Sequence, residues 1–148
     1  MIRALIAMTL AACFACTAAR ANEDSDALFQ FGLIGSWAFD CQGPPSPRNP
    51  YLNFALLHPG APTRQVVTGK PEYDTVVPIS DATLIDDAHL RLSYPQGGVT
   101  ITVTLLKEQR RIRPFDAVAS DGTVAVADGI AKSTGQATAW LTRCPDLP

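Results

Sequence analysis

GVTITVTLL, residues 98–106, alternates apolar and polar side chains more strictly than any other stretch of the chain. The apolar positions are Val99, Ile101, Val103 and Leu105, and a threonine occupies each position between them. Successive side chains of a β-strand point to opposite faces, so this period of two predicts a strand with one buried face. Two orientations are possible. In a half-buried strand the threonines face solvent, and in a barrel strand of the opposite orientation the threonines face the interior and the apolar side chains face outward.

Shorter segments of the same kind surround this strand, each bounded by proline, glycine or acidic residues. They cover residues 33–40, 51–57, 64–68, 73–79, 83–85, 89–94, 110–118, 123–127 and 136–143. Short strands about 8–12 residues apart are typical of β-sandwiches and barrels. We therefore predict an all-β domain over residues 22–148, a single antiparallel up-and-down barrel of about eight strands. A β-sandwich is the alternative, and a short helical turn that ends at Gly32 is expected before the first strand.

Residues 1–21 have the pattern of a secretory signal peptide. Arg3 precedes an apolar stretch, and ARA at residues 19–21 matches the small-x-small cleavage site. Cleavage after Ala21 predicts a periplasmic or secreted protein. The alternative is a lipoprotein anchored through Cys13, because LAAC at residues 10–13 is similar to a lipobox. The apolar stretch is shorter than the about 20 residues that span a bilayer, so no transmembrane segment is expected.

The charge of the chain is mildly acidic. It contains 12 Lys and Arg against 14 Asp and Glu, and removal of the leader with Arg3 and Arg20 leaves a formal charge of −4. Non-specific nucleic-acid binding needs a basic face, so nucleic acid is not an expected partner.

Two cysteines remain beyond the leader, Cys41 and Cys144. In an oxidising compartment the simplest arrangement is one disulfide between them. This bond would tie the beginning of the domain to its last strand.

Gly35-Ser36-Trp37, on the predicted first strand, resembles the G-x-W motif of lipocalins and related calycin barrels. The resemblance implies that Trp37 packs at the closed end of an up-and-down barrel, where a basic residue of the last strand lies across the indole. Arg143 is the residue of this chain that matches that position. Such barrels hold a small, usually apolar molecule inside.

Strand alternation sets a condition on this arrangement. Trp37 and Cys41 share one face of a continuous strand, whereas Arg143 and Cys144 lie on opposite faces. The disulfide and the packing of Arg143 on Trp37 are compatible only if a bulge or a strand end intervenes.

The candidate ligand-binding residues belong to the barrel interior and its mouth. They are Val99, Ile101, Val103 and Leu105, joined by Arg111 and Arg113 from the basic segment that follows. Paired arginines suit carboxylate or phosphate, which favours an anion or head-group clamp. A solvated strand end with charges that protect a sheet edge is the alternative.

No catalytic motif is present, so an enzyme is not expected, and neither is a cofactor or a bound metal. Asp86, Asp87 and His89 are the nearest approach to a metal site, and an acidic turn beside a solvated histidine is the better interpretation. His58 lies in a separate Pro-Gly turn.

The leading functional hypothesis is a non-enzymatic binding protein for a small apolar or amphipathic molecule. The alternative is an envelope protein-interaction module or an inhibitor of a secreted enzyme. The loop of residues 43–51 bears on this choice, since its four prolines indicate either a rigid connection or an ordered segment that binds a protein partner.

Overall fold

The computed structural model describes residues 23–57 and 61–145. The predicted cleavage site after Ala21, the lipidation alternative at Cys13 and the turn at His58 lie outside these ranges. The described part contains helix α1 over residues 23–31, a single 3-10 turn (Pro71–Tyr73) where the strand over 73–79 is expected to begin, and eleven strands. The strands are β1 (Gly35–Ala38), β2 (Tyr51–Leu57), β3 (Ala61–Val67), β4 (Thr75–Pro78), β5 (Asp81–Leu84), β6 (His89–Gln96), β7 (Val99–Glu108), β8 (Arg111–Ala119), β9 (Val124–Ala127), β10 (Ile130–Ala131) and β11 (Leu141–Arg143).

All strand pairs are antiparallel, which confirms the all-β prediction. The hydrogen-bonded order is β4-β3-β2-β1-β11-β8-β7-β6-β5, and β9 and β10 extend from β8 as a side hairpin. Neighbours are consecutive in sequence except around β11, which places the last strand beside the first. The path is open between β4 and β5, so the closed barrel and its sandwich alternative stay predictions.

The chain changes partner strands where β4 meets β5. The Ile79 amide donates to the Pro62 carbonyl of β3, and the Ser80 amide donates to the Ser93 carbonyl of β6. Only these two residues separate the β4–β3 ladder from the β5–β6 ladder. The two ends of the open path are therefore joined by covalent chain rather than by a strand ladder.

Strand β7 has the alternation that its sequence predicts. Val103 and Leu105 are buried in the core, and Ile101 packs against it. The threonines point to the other face, where the Thr102 hydroxyl hydrogen-bonds that of Ser93 at 2.9 Å. The apolar face of β7 is thus the inner face of the sheet.

Helix α1 covers one end of this core, and it is somewhat longer than the short helical turn expected. Leu28, Phe31 and Leu33 are almost fully buried beside Trp37. Gly32 ends the helix in the left-handed conformation, with the Leu33 amide bonded to the Leu28 carbonyl, the arrangement of a Schellman motif. The Trp37 indole donates to the Leu33 carbonyl at 2.8 Å, which fastens the helix end to β1.

The disulfide between Cys41 and Cys144 is formed, with the Cα atoms 5.3 Å apart. Trp37 of β1 lies directly opposite Arg143 of β11, and both cysteines fall beyond the ends of these strands. A strand end therefore removes the conflict that strict alternation predicted. Closing a loop of this length, 103 residues, stabilises the fold by about 4–5 kcal/mol in the chain-entropy account.

Candidate functional site

Arg64 of β3 points toward the core although it is charged. It lies opposite Phe54 of β2 and Val77 of β4 in the strand register, and Phe54 is a buried core residue. Directly opposed residues of antiparallel strands project on the same face. The guanidinium carbon stands 4.5 Å from the ring centroid of Tyr94, a buried residue of β6. Stacking on an aromatic face stabilises a guanidinium and sets its position.

Behind this pair lies a cavity of about 70 Å³ inside the sheet. Its walls are apolar except for the two arginines that contribute to them, and are formed by Leu52, Phe54, Arg64, Leu92, Tyr94, Val103, Leu105, Ile112, Arg113, Pro114 and Leu141. The Arg113 guanidinium itself packs against Trp140 and Gly129. Arg64 contributes to this cavity a guanidinium that stacks on the Tyr94 ring, whereas the Arg113 guanidinium lies against Trp140 and has a buried Nε without a hydrogen-bond partner.

In front of the pair lies a larger open cleft of about 430 Å³. It is bounded by β3, β4 and the turn from β6 to β7, and is lined by Arg64, Val66, Thr75, Val77, Pro95, Gln96, Gly97 and Gly98. Arg64 lines both spaces, so its guanidinium stands between the solvent-open cleft and the apolar interior.

The charge of Arg64 is not balanced by a carboxylate of residues 23–57 or 61–145. A half-buried guanidinium without a counter-ion loses hydration that the stacking on Tyr94 replaces only in part. Such a group is a ready partner for an external carboxylate, which accepts two parallel hydrogen bonds from it.

The predicted interior residues divide between the cavity and its surroundings. Val103 and Leu105 line the cavity. Ile101 packs against the core one step further along β7, and Val99 is half-buried at the beginning of the strand. The structure therefore brings two of the four predicted apolar residues to the space beside Arg64.

Arg111 and Arg113 lie on the outer face of β8, away from Val103 and Leu105. They flank Ile112, which is buried in the core, and alternation directs them to the opposite side. Both guanidinium carbons approach the Trp140 indole, at 4.9 and 4.6 Å from its centroid. The predicted pair is therefore assembled on an aromatic side chain at the outer face, and of the two only Arg113 also contributes to the cavity wall.

The acidic turn between β5 and β6 behaves as a capped turn. The Asp86 carboxylate accepts hydrogen bonds from the Ala88 and His89 amides at 2.8 Å and contacts the His89 ring at 2.9 Å. The Ala88 amide, followed by the His89 side chain, holds the pKa of Asp86 below its usual 3.8. Across residues 23–57 and 61–145, no group of three His, Cys, Asp or Glu is arranged to hold a metal ion.

The proline-rich loop is held by its own hydrogen bonds. Tyr51 donates its hydroxyl proton to the Gly43 carbonyl at 2.8 Å. Asn49 donates to the Asp40 carbonyl at 2.8 Å and accepts from the Asp40 amide at 3.0 Å. With Cys41 bonded to Cys144, the loop is fastened at both ends.

Sequence reasoning missed the two residues at the centre of the site, Arg64 and Tyr94. The sequence of β3 does contain a signal for Arg64, because Pro62, Arg64 and Val66 are two residues apart and therefore lie on the same face of the strand. A charged residue in the inward phase of a strand is unusual and marks a functional candidate. Its meeting with Tyr94 depends on the pairing of distant strands, which no local pattern reveals.

No family model, curated protein or solved structure matches this chain. The resemblance to lipocalins therefore stays a prediction that rests on Gly35, Trp37 and Arg143. None of the helices in the described ranges has the length and apolar character needed to cross a membrane.

Proposed function

We propose that this chain is an exported, non-enzymatic binding protein for a small amphipathic anion. The anionic group pairs with the Arg64 guanidinium, and the apolar part extends toward Val103 and Leu105. The observation that supports this proposal is the position of Arg64, a half-buried cation without a carboxylate partner in the described ranges, between an open cleft and an apolar cavity. Export remains part of the proposal, and the disulfide is consistent with an oxidising compartment.

The two volumes limit the size of the ligand. The inner cavity of about 70 Å³ corresponds to about two water molecules at about 30 Å³ each, so it admits a chain end of two or three carbons without movement of its walls. The outer cleft of about 430 Å³ lies within the range of about 300–1,000 Å³ common for small-molecule sites. A ligand that is mainly held in the cleft, with a short apolar end inside, fits both spaces.

Calorimetry with matched six-carbon ligands tests the charge requirement. Hexanoate, hexanol and hexylamine share one chain and differ in the head group. We expect hexanoate to bind at least about tenfold more tightly than the other two, because charge-assisted hydrogen bonds contribute about 1.5–3 kcal/mol. Arg64→Gln should abolish the preference, and Arg91→Gln, an exposed position on the outer face of β6, is the matched control. Equal affinity for all three ligands would contradict the proposal.

A second function, recognition of a protein partner, is favoured by one observation. The loop of residues 43–51 is fastened by hydrogen bonds and by the disulfide, and exposes Pro47 and Arg48 at its tip. A preordered loop loses little conformational entropy when it binds. A stoichiometric protein captured from periplasmic extract, and lost with Arg48→Ala, would support this function over the first.

A further inference from the structure

A second cleft, of about 380 Å³, lies at the end of the sheet that helix α1 covers. We call it the basic cleft, and it is lined by Phe31, Gly32, Trp37, Lys107, Gln109, Arg110, Arg143, Cys144 and Pro145. Three cations, Lys107, Arg110 and Arg143, are among these residues, and within residues 23–57 and 61–145 no carboxylate lines the cleft. Five of the 12 Lys and Arg of the chain fall at this end of β7, β8 and β11. The concentration of positive charge contrasts with the acidic character of the whole chain.

Two of the cations have a structural role that uses only part of their hydrogen-bonding capacity. Lys107 donates to the Phe31 carbonyl at 2.6 Å, and Arg143 donates to the Ile34 carbonyl at 3.0 Å and the Gly32 carbonyl at 3.5 Å. These bonds satisfy carbonyls at the end of helix α1. An ammonium has three N–H donors and a guanidinium five, so both side chains keep donors for a ligand.

Arg110 has no such structural role. It is exposed in the turn between β7 and β8, and its carbonyl accepts a hydrogen bond from the Arg143 amide at 3.0 Å. That bond sets the backbones of the two arginines side by side. The adjacent carboxylate, Glu108, lies opposite Arg111 in the register and approaches its guanidinium at 3.4 Å, so it is engaged outside the cleft.

The charge balance of the cleft favours a dianion. The end of a helix carries about half a negative charge, which offsets only a small part of three positive charges. A phosphate group at neutral pH carries about −1.5 to −2. It therefore matches the remaining charge better than a single carboxylate does, and its oxygens accept hydrogen bonds from several donors at once.

We infer that the basic cleft binds a phosphate group through Arg110, Lys107 and Arg143. This site is distinct from the one at Arg64, which faces the other cleft. A phosphomonoester of this charge has two sources, a free phosphate compound and the head group of phosphatidic acid.

The two tryptophans allow a direct test by NMR, because Trp37 lines the basic cleft and Trp140 lies on the outer face with Arg111 and Arg113. Inorganic phosphate is titrated into the ¹⁵N-labelled protein while both indole N–H signals are followed. We expect a saturable shift of the Trp37 signal and a much smaller shift of the Trp140 signal. Vesicles that contain phosphatidic acid, compared with vesicles of phosphatidylcholine alone, form the second arm and are read by sedimentation.

Variants then separate the site from general charge effects. Arg110→Ser should weaken the interaction by up to about fivefold, the effect of one exposed charge contact, and it leaves the helix-capping bonds intact. Arg91→Ser is the matched control and should bind phosphate as the natural chain does. Binding in the phosphate arm assigns a free ligand, and Arg110-dependent binding in the vesicle arm alone assigns a lipid head group. Absence of binding in both arms, or equal binding by Arg110→Ser, would overturn the inference.

Discussion

The Arg64 guanidinium carbon lies 4.5 Å from the centroid of the Tyr94 ring, although the strands that hold the two residues are not hydrogen-bonded to each other. β3 belongs to one end of the open strand path and β6 to the other. The contact therefore crosses the gap between the two ends of the strand path, where no hydrogen-bonded ladder joins β4 to β5.

The Tyr94 hydroxyl provides the first prediction. Tyr94→Phe keeps the aromatic face under Arg64 and removes only the hydroxyl group. We expect stability to change little and the affinity for hexanoate to fall by about fivefold, because one hydrogen bond contributes about 1 kcal/mol. Calorimetry and urea denaturation of the same variant separate the two effects. A variant that binds hexanoate as tightly as the natural chain would remove Tyr94 from the site while leaving Arg64 in it.

The disulfide provides the second prediction. Replacing both cysteines, Cys41→Ser with Cys144→Ser, removes a closure of 103 residues and should lower the free energy of unfolding by about 4–5 kcal/mol. Urea denaturation measures this loss, and the natural chain under reducing conditions is the matched control. A loss below about 1 kcal/mol would contradict the chain-entropy account and indicate that residual structure keeps the two ends close in the unfolded chain.

Gly35 provides the third prediction, since its φ of 130° is a conformation that glycine favours. A Cβ at this position would lie 3.3 Å from Nη2 of Arg143, so alanine adds crowding to backbone strain. Gly97, with φ of 60° and open space around it, is the comparison that carries only the milder strain of the left-handed helical region. We expect Gly97→Ala to cost about 1–2 kcal/mol and Gly35→Ala to cost more, through its φ and its contact with Arg143. Equal costs, measured by urea denaturation, would contradict this prediction.

How far the sequence predicts this fold depends on whether the relevant signal is local. The alternation of β7 is predictable because one face of the strand is buried along its length. The disulfide is predictable because two cysteines have one pairing. The segment over 136–143 is shorter as a strand than expected, since β11 begins only at Leu141. Residues 132–136 form turns and bends. The Thr138 hydroxyl then donates to the Pro114 carbonyl of β8 at 2.6 Å, and its amide donates to the Gly129 carbonyl between β9 and β10 at 2.8 Å.

The candidate site was predictable only where the signal is local, as it is for Arg111 and Arg113 and is not for the contact between Arg64 and Tyr94. Alternation places Arg111 and Arg113 on one face, and the apolar Ile112 between them indicates that this face is the outer one. Arg64 and Tyr94 are 30 positions apart, and their contact follows from the change of partner strands at residues 79 and 80. That change is a property of the whole sheet, so no pattern within either strand reports it.

The acidic turn provides the last prediction, which concerns pH. Hydrogen bonds from the Ala88 amide and then from the His89 side chain hold the pKa of Asp86 below 3.8 in the folded chain. A carboxyl with a depressed folded pKa contributes stability that is present above its unfolded pKa and is lost as pH falls through the folded value. We therefore expect the turn to weaken on acidification below about pH 4, and Asp86→Asn to remove that part of the acid dependence.

NMR titration of the Asp86 carboxyl carbon measures this pKa directly. His89→Ala should raise it only part of the way to 3.8, because the Ala88 amide, the larger cause, remains. A complete return to 3.8 in His89→Ala would assign the whole shift to the histidine instead. Urea denaturation then relates the lowered pKa of Asp86 to stability. The midpoints of the natural chain and of Asp86→Asn are compared from neutral pH down through the acidic range. Parallel curves for the two proteins would contradict the expected contribution of this turn.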